Sequence, residues 1–208
     1  MAAVGREQLV RRGIWLEVAT VGWNVIEGVI GVAAGALASS VALMAFGVDS
    51  FVETASGAVL WWRLRVELTG ADDLEGLGRM ERRAARGAGA MLLMLAVYIV
   101  IDAGRRLLGV GAEAQVSRLG MAVTTGALVV MPVLGCAKLR TAGALGSRAL
   151  RADAYETLAC AWLSATTLGG LILNAALGWS WADPVAAFAI VPLVAREGLE
   201  GWRGKREA

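Results

Sequence analysis

Six apolar runs, each close to the length of a bilayer-crossing helix, divide this sequence. A helix needs about 20 apolar residues to cross the hydrocarbon core of a membrane. The runs lie near residues 14–37, 40–62, 87–108, 117–137, 152–177 and 182–201. The hydrophobic share of 57% and the mean hydropathy of +0.61 also exceed those of a typical soluble domain. The sequence therefore predicts an all-α membrane protein, with residues 1–208 forming one transmembrane domain, a six-transmembrane-helix bundle.

The basic residues between the runs predict how the bundle is oriented. If the N-terminus is cytoplasmic, 17 of the 20 lysines and arginines fall on the cytoplasmic side and 3 on the opposite side. Cytoplasmic loops of membrane proteins carry such an excess of basic residues. Both termini are therefore predicted to be cytoplasmic. The cytoplasmic connections are predicted to be Arg63–Arg86, a solvated loop, and Lys138–Arg151.

The composition argues against several classes of protein. A net charge of +2 is too small to indicate nucleic-acid binding. The first run is longer than a signal-peptide core and contains Glu17 and Glu27, so we expect it to be a retained span. The sequence contains no HExxH motif and no Gly-rich phosphate loop, so an enzyme is not expected. Histidine is absent, which restricts any metal site to carboxylate, thiolate, amide or backbone ligands.

Acidic residues interrupt the second and fifth apolar runs. Asp49 and Glu53 are four residues apart, so they share one face of a helix. Asp153, Glu156 and Cys160 follow at spacings of three and four, which also places them on one stripe. A charge near the bilayer centre costs about 2.5–3.5 kcal/mol on insertion scales, so such acids usually face a bundle interior and an ion path. Two neighbouring helices with these stripes could enclose a cation.

Other polar residues in the runs have more than one interpretation. Asp153 lies near the predicted cytoplasmic end of its run, where an acid can extend to the interface instead of binding an ion. Asn24 and Glu27 are one turn apart in the first run. Asn24 and Glu27 are candidates for the outer shell of a metal site or for a proton path. The alternative for Glu27 is a buried acid bonded to a neighbouring helix. Pro184 at the head of the sixth run favours Asp183 as the N-terminal cap of that helix.

Two segments resemble the cation diffusion facilitator family. The stretch Ala38–Glu53 resembles its second helix, in which a small-residue turn precedes an Asp or His followed four positions later by Asp. The stretch Arg151–Cys160 resembles its fifth helix, in which His and Asp four apart complete a tetrahedral divalent-metal site. The resemblance covers all six spans, including the segment at 181–184 that opens the sixth. It implies a short form that lacks the family's cytoplasmic C-terminal domain.

The resemblance also implies which residues bind the metal ion. The implied ligands are Asp49, Glu53, Glu156 and Cys160. Three of them depart from the usual family pattern, since Glu replaces Asp at 53, Glu replaces His at 156 and Cys replaces Asp at 160. Asp153, one turn away on the same stripe, could substitute for a family ligand and is kept in the predicted metal site.

A divalent metal cation transporter is the function that the resemblance implies. It would be a multi-pass protein of the cell inner or plasma membrane, performing efflux by exchange with protons. Carboxylates with one thiolate suit Zn²⁺, the expected substrate, and also Co²⁺ or Cd²⁺, whereas a site without Cys160 would favour Mn²⁺. Metal binding expels protons from crowded carboxylates, and this competition is sufficient for antiport. The expected partners are the lipid bilayer, the cation and protons, and a homodimer stays open.

A second interpretation comes from a different class of function. The replaced ligands and the missing domain would also fit a degenerate, non-transporting membrane module of the same fold. Such a module would bind a metal ion or a partner without moving it. Saturable metal binding without pH-coupled flux would favour this alternative.

Overall fold

The computed structural model describes residues 2–69 and 74–203, with side chains for residues 5–68, 86, 87 and 89–203. These residues form six α-helices joined by short connections. The helices are α1 (Ala2–Ala38), α2 (Val41–Thr69), α3 (Leu74–Leu107), α4 (Arg118–Leu145), α5 (Arg148–Leu177) and α6 (Ala182–Trp202). The described part of the chain contains no strand.

Turn residues with defined backbone geometry end and start the helices. Gly146 takes a left-handed conformation (φ 68°) at the end of α4, and its N–H donates to the carbonyl of Ala142. Ser147 follows as the N-cap of α5, and its hydroxyl accepts from the backbone N–H of Leu150. Glycine adopts this positive φ without the penalty that a Cβ imposes, and serine supplies the acceptor that a helix start needs. A two-residue turn therefore makes α4 and α5 antiparallel neighbours.

The two connections predicted on the cytoplasmic side are shorter than expected. Within Arg63–Arg86, α2 continues to Thr69 and α3 begins at Leu74, so the prediction of a continuous loop is wrong. Residues 70–73 of that stretch lie outside the described part. Within Lys138–Arg151, only Gly146 and Ser147 interrupt the helices. Arg, Leu and Ala are good helix formers, so basic residues alone do not end a helix.

Helix packing arranges the bundle around α1, α2, α4 and α5. Three pairs of helices pack along each other: α1 with α2, α4 with α5, and α3 with α6. In addition, α1 contacts α4 and α2 contacts α5. Among the described residues, four stretches are long and apolar enough to cross a membrane: Gly5–Ala38, Val41–Leu68, Arg118–Leu145 and Arg148–Leu177. α3 and α6 form a pair that packs on α2, and α6 also packs on α5. These features confirm the predicted all-α membrane bundle, and the side on which its termini lie stays a prediction.

Glycines allow α1 and α2 to approach closely near their shared turn. A Cβ placed on Gly31 would come within 2.8 Å of the Gly47 Cα atom. A Cβ on Gly47 would come within 2.4 Å of the backbone nitrogen of Val32. Small residues at such crossings let helix backbones touch inside a bilayer. The polar positions that lie further along these two helices are thereby held next to each other.

Polar residues lie inside the bundle, and large apolar residues cover its outside. Along α1, Glu17, Asn24 and Glu27 are fully buried, whereas Ile26 and Val29 are more than half exposed. Exposed apolar side chains on this scale suit lipid contact, and buried acids are rare unless they are paired or functional. The interior of the bundle is therefore where its chemistry is concentrated.

The side chain of Asp183 has a different role from the one predicted. Asp183 lies in the first turn of α6, whose N-cap residue Trp181 makes no side-chain capping bond. Its carboxylate instead accepts hydrogen bonds from the Ser40 hydroxyl and, at 2.9 Å, from the Val41 backbone N–H. Asp183 therefore caps the start of α2 rather than its own helix. The sequence could not reveal this partner, which lies 142 residues away in the chain.

Candidate metal centre

Two side chains of α2 and one of α5 meet inside the bundle. Ligand atoms of Asp49, Glu53 and Cys160 all lie within 4.8 Å of one another. Asp49 and Cys160 are buried and Glu53 is partly buried. Asp49 and Glu53 share a face of α2 because they are four residues apart, and Cys160 completes the group because α2 packs on α5. Among the described residues, these three acidic and thiol side chains form a group compact enough to hold a metal ion.

Glu156 borders this group without joining it. It lies one turn before Cys160 on α5 and is partly buried. Its carboxylate accepts a hydrogen bond of 3.2 Å from the hydroxyl of Ser56, which lies three residues after Glu53 on α2. Glu156 therefore also lies at the contact of α2 and α5, one turn along from the three central side chains.

Asp153 is held by a different partner. Its carboxylate forms an ion pair with the ammonium group of Lys138 on α4. Lys138 also pairs with Glu17 of α1, with 3.1 Å between Nζ and Oε2, and donates at 3.3 Å to the Thr157 hydroxyl. The structure thus places Asp153 in a buried charged cluster, outside the group formed by Asp49, Glu53 and Cys160.

α1 supplies hydrogen-bonding partners for the acids of α2. The side-chain Nδ2 of Asn24 donates to Glu53 Oε2 at 3.0 Å. Glu27 accepts hydrogen bonds from the indole N–H of Trp23 and, at 3.4 Å, from the hydroxyl of Ser50. Glu27 is therefore a buried acid bonded to a neighbouring helix, and its partner Ser50 directly follows Asp49. An outer-shell or proton-path role of Glu27 stays a prediction.

One oxygen next to the centre has no partner among the described residues. The Asn24 side chain is fully buried, and its Oδ1 atom makes no hydrogen bond there. A buried amide oxygen without a donor costs about 1–3 kcal/mol, so such atoms need an explanation. An amide oxygen is an acceptable ligand for a divalent cation. Asn24 therefore adds an oxygen atom that could bind a metal ion beside the carboxylates.

Lys138 and Glu17 are the members of this charged cluster that the sequence does not predict. The sequence predicts Lys138 in a cytoplasmic connection, yet it is fully buried inside α4. The Gly146–Ser147 pair was the available signal, because it marks the true end of the helix beyond Lys138. Glu17 is an acid in the first span, but nothing local to it in the sequence indicates its partners.

The fold and this interior group define a class: a multi-pass helical membrane protein with a carboxylate and thiol centre between two helices. The chain belongs to the cation efflux family, since residues 18–202 match the cation efflux transmembrane domain. The predicted resemblance to cation diffusion facilitators is thereby confirmed. That family consists of transporters of divalent metal cations and not of enzymes. Family membership therefore also confirms the prediction that the protein is not an enzyme.

Two curated proteins are similar to the chain along much of its length. An uncharacterized transporter of Synechocystis, sll1263, is 29% identical over 157 residues, covering 74% of this chain and 50% of that protein. The magnetosome protein MamB of Paramagnetospirillum magneticum is 26% identical over 190 residues, covering 89% of this chain and 62% of that protein. The chain thus spans about half to three-fifths of the length of these relatives.

Proposed function

We propose that this protein carries a divalent metal cation across the cell inner or plasma membrane in exchange for protons. The observation that carries the proposal is the meeting of Asp49, Glu53 and Cys160 at the buried contact of two helices. Family membership supports the transport of a cation, and the outward-facing apolar residues support a position within a bilayer. The ion would enter the bundle interior between α2 and α5.

The donor set favours a borderline cation, with Zn²⁺ as the proposed substrate. Two carboxylates and one thiol suit Zn²⁺, Cd²⁺ or Co²⁺ better than they suit Mg²⁺ or Ca²⁺. A tetrahedral zinc ion with bonds of about 2.0–2.3 Å needs its ligand atoms about 3.3–3.8 Å apart. Ligand atoms within 4.8 Å of one another would need to move inward by about 1 Å. Asn24 Oδ1 or Glu156 could supply the fourth position.

Proton exchange follows from the chemistry of these donors. Carboxylic acids and thiols must lose their protons before they can bind a metal ion, so binding releases protons and acidity opposes it. A site that opens alternately to the two sides would then exchange cation for proton. A more acidic outer compartment would promote release of the ion there.

The decisive test replaces one ligand in the purified protein reconstituted in liposomes. We expect Asp49→Asn to abolish zinc-dependent fluorescence of an enclosed indicator, and to weaken zinc binding by about 100-fold or more, because even outer-shell partners contribute about 10- to 100-fold. Glu113→Gln is the matched control, since Glu113 is an exposed acid in the connection before α4. Unaltered uptake by the Asp49 variant would contradict the proposal.

The same liposomes separate transport from binding alone. A proton-coupled carrier should show zinc uptake that rises when a pH gradient is imposed across the liposome membrane. The movement of zinc should also be accompanied by a change of pH inside the liposomes. Saturable zinc binding that depends on Asp49, without any flux under either gradient, would instead support the non-transporting module.

A further inference from the structure

A second cluster of ionisable side chains lies inside the bundle, apart from the proposed metal centre. It consists of Glu17 on α1, Lys138 on α4 and Asp153 on α5. Glu17 and Lys138 are fully buried, and Asp153 is 8% exposed. Three helices contribute one charged group each, so the cluster is a feature of the tertiary structure rather than of one helix.

The charges of this cluster do not balance. Two carboxylates face one ammonium group, which leaves a net charge of −1 if all three are ionised. Among the described residues, the charged groups that face Glu17 are Lys138 and Asp153, and α2 meets the carboxylate with Gly57. The charged groups that face Glu17 therefore include no further cation that compensates the excess. An unbalanced buried charge is strongly unfavourable, and the usual remedy is to bind a proton.

The two carboxylates also contact each other. Glu17 and Asp153 lie within hydrogen-bonding distance, although ionised carboxylates are acceptors only. In addition, the buried Glu17 Oε1 atom receives no hydrogen from any described donor. A proton on one of these oxygens accounts for the contact between the carboxylates, since a protonated carboxyl group becomes a donor and makes the cluster neutral.

The cluster is connected to the metal centre by polar residues on one face of α1. Glu17, Thr20, Asn24 and Glu27 are all buried and follow the spacing of a helix face. Asn24, which bonds Glu53, lies seven residues from Glu17, which is about 10 Å along a helix. The cluster is thus near the metal centre but shares no side chain with it.

We infer that Glu17, Lys138 and Asp153 form a proton-binding site separate from the metal centre. One proton binds between the two carboxylates, and the fixed ammonium group neutralises the remaining charge. Binding of the proton converts a cluster of charge −1 into a neutral one. No metal ion is needed for this site.

Infrared spectroscopy of the metal-free protein in liposomes tests the inference at neutral pH. The wild-type protein should show the carbonyl stretch of a protonated carboxyl group, shifted by exchange into D₂O. Glu17→Gln and Asp153→Asn should each remove the equivalent of one protonated carboxyl group per chain. In either variant a single carboxylate remains beside Lys138 and needs no proton. Glu7→Gln, at an exposed acid that pairs with Arg11, should leave the band unchanged.

A third variant changes the band in the opposite direction. Lys138→Met leaves two carboxylates without a cation, so the band should gain the equivalent of one carboxyl group. A band of wild-type intensity in either acid variant, once that variant is shown to be folded, would overturn the inference. Zinc binding by the same Glu17 and Asp153 variants, measured separately, shows whether the metal centre functions. Failure of one proposal is therefore distinguishable from failure of the other.

Discussion

Individual side chains of α1 determine how the acids of the metal centre are held. Asn24 bonds Glu53 directly, and Ser50 bonds Glu27 from the position next to Asp49. Outer partners of this kind fix the orientation of ligands and tune their affinity for a metal ion. The first helix, which carries none of the family's implied ligands, therefore participates in the site through hydrogen bonds.

Removing the Asn24 amide should weaken metal binding without preventing folding. We expect Asn24→Ala to lower zinc affinity by about 10- to 100-fold, the range found for partners of metal ligands. Isothermal titration calorimetry of the detergent-solubilised protein measures this change. Asn174→Ala is the matched control, because Asn174 is a buried amide that bonds the Ala114 carbonyl at 2.7 Å, away from the centre. Equal loss in both variants would indicate a general folding effect.

The thiol of Cys160 should decide which metal ion is preferred. Replacing it by a hydroxyl in Cys160→Ser removes the soft donor, so affinity for Cd²⁺ and Zn²⁺ should fall more than affinity for Mn²⁺. As a proposed direct ligand, the thiol should contribute at least about 10-fold to the affinity for Cd²⁺. Competition binding with the three ions measures the order. An unchanged order would mean that Cys160 lies outside the coordination shell.

Helix contacts place these side chains, and the crossing of α1 and α2 at Gly47 lies two residues before Asp49. The Gly31 and Gly47 backbones touch, so no Cβ fits there. At the same end of the bundle Asp183 caps α2 from α6. The position of α2 is therefore fixed by its neighbours on two sides.

Substitution at the glycine crossing should separate a tertiary effect from helix propensity. Gly47→Ala forces overpacking against Val32 and should destabilise the fold by about 1–3 kcal/mol. Gly143→Ala, in α4 with nothing within 4 Å of the added Cβ, should instead be neutral or stabilising by up to about 1 kcal/mol. Thermal unfolding in detergent compares the two. A stabilised Gly47 variant would contradict the close crossing.

The cap at the start of α2 can be tested through Asp183. Asp183→Ala leaves the buried Ser40 hydroxyl and Val41 N–H without their acceptor and should cost about 1–3 kcal/mol. Asp183→Asn retains an acceptor oxygen and should lose less. The measurement is the same thermal unfolding. Equal stability of all three proteins would show that the contact contributes nothing.

The whole molecule is organised with its polar groups inside and its apolar surface outside. The basic residues at the two ends predict its direction in the membrane, with both termini cytoplasmic. A membrane-impermeant maleimide should therefore label Glu113→Cys in intact cells but Glu7→Cys only after permeabilisation. The unsubstituted protein, with Cys136 and Cys160, gives the background. The reverse pattern would invert the proposed direction of transport.

The sequence by itself determined the class of fold and the helix face on which each candidate ligand lies. Apolar length predicts spans because the bilayer demands it, and Asp49 and Glu53 share a face because helix geometry is local. Asp153, Glu156 and Cys160 were predicted on one stripe for the same reason. Helix periodicity, however, does not determine which neighbouring helix each of these side chains contacts.

Only the tertiary structure decided those partners. Cys160 meets α2, whereas Asp153, two turns away, meets Lys138 of α4. The sequence predicts a cytoplasmic position for Lys138 because the local sequence does not distinguish two kinds of basic residue. One kind lies outside the membrane, and the other is buried beside acidic partners. The difference depends on Glu17, 121 residues earlier in the chain, and a contact at that distance is fixed by packing rather than by any local pattern.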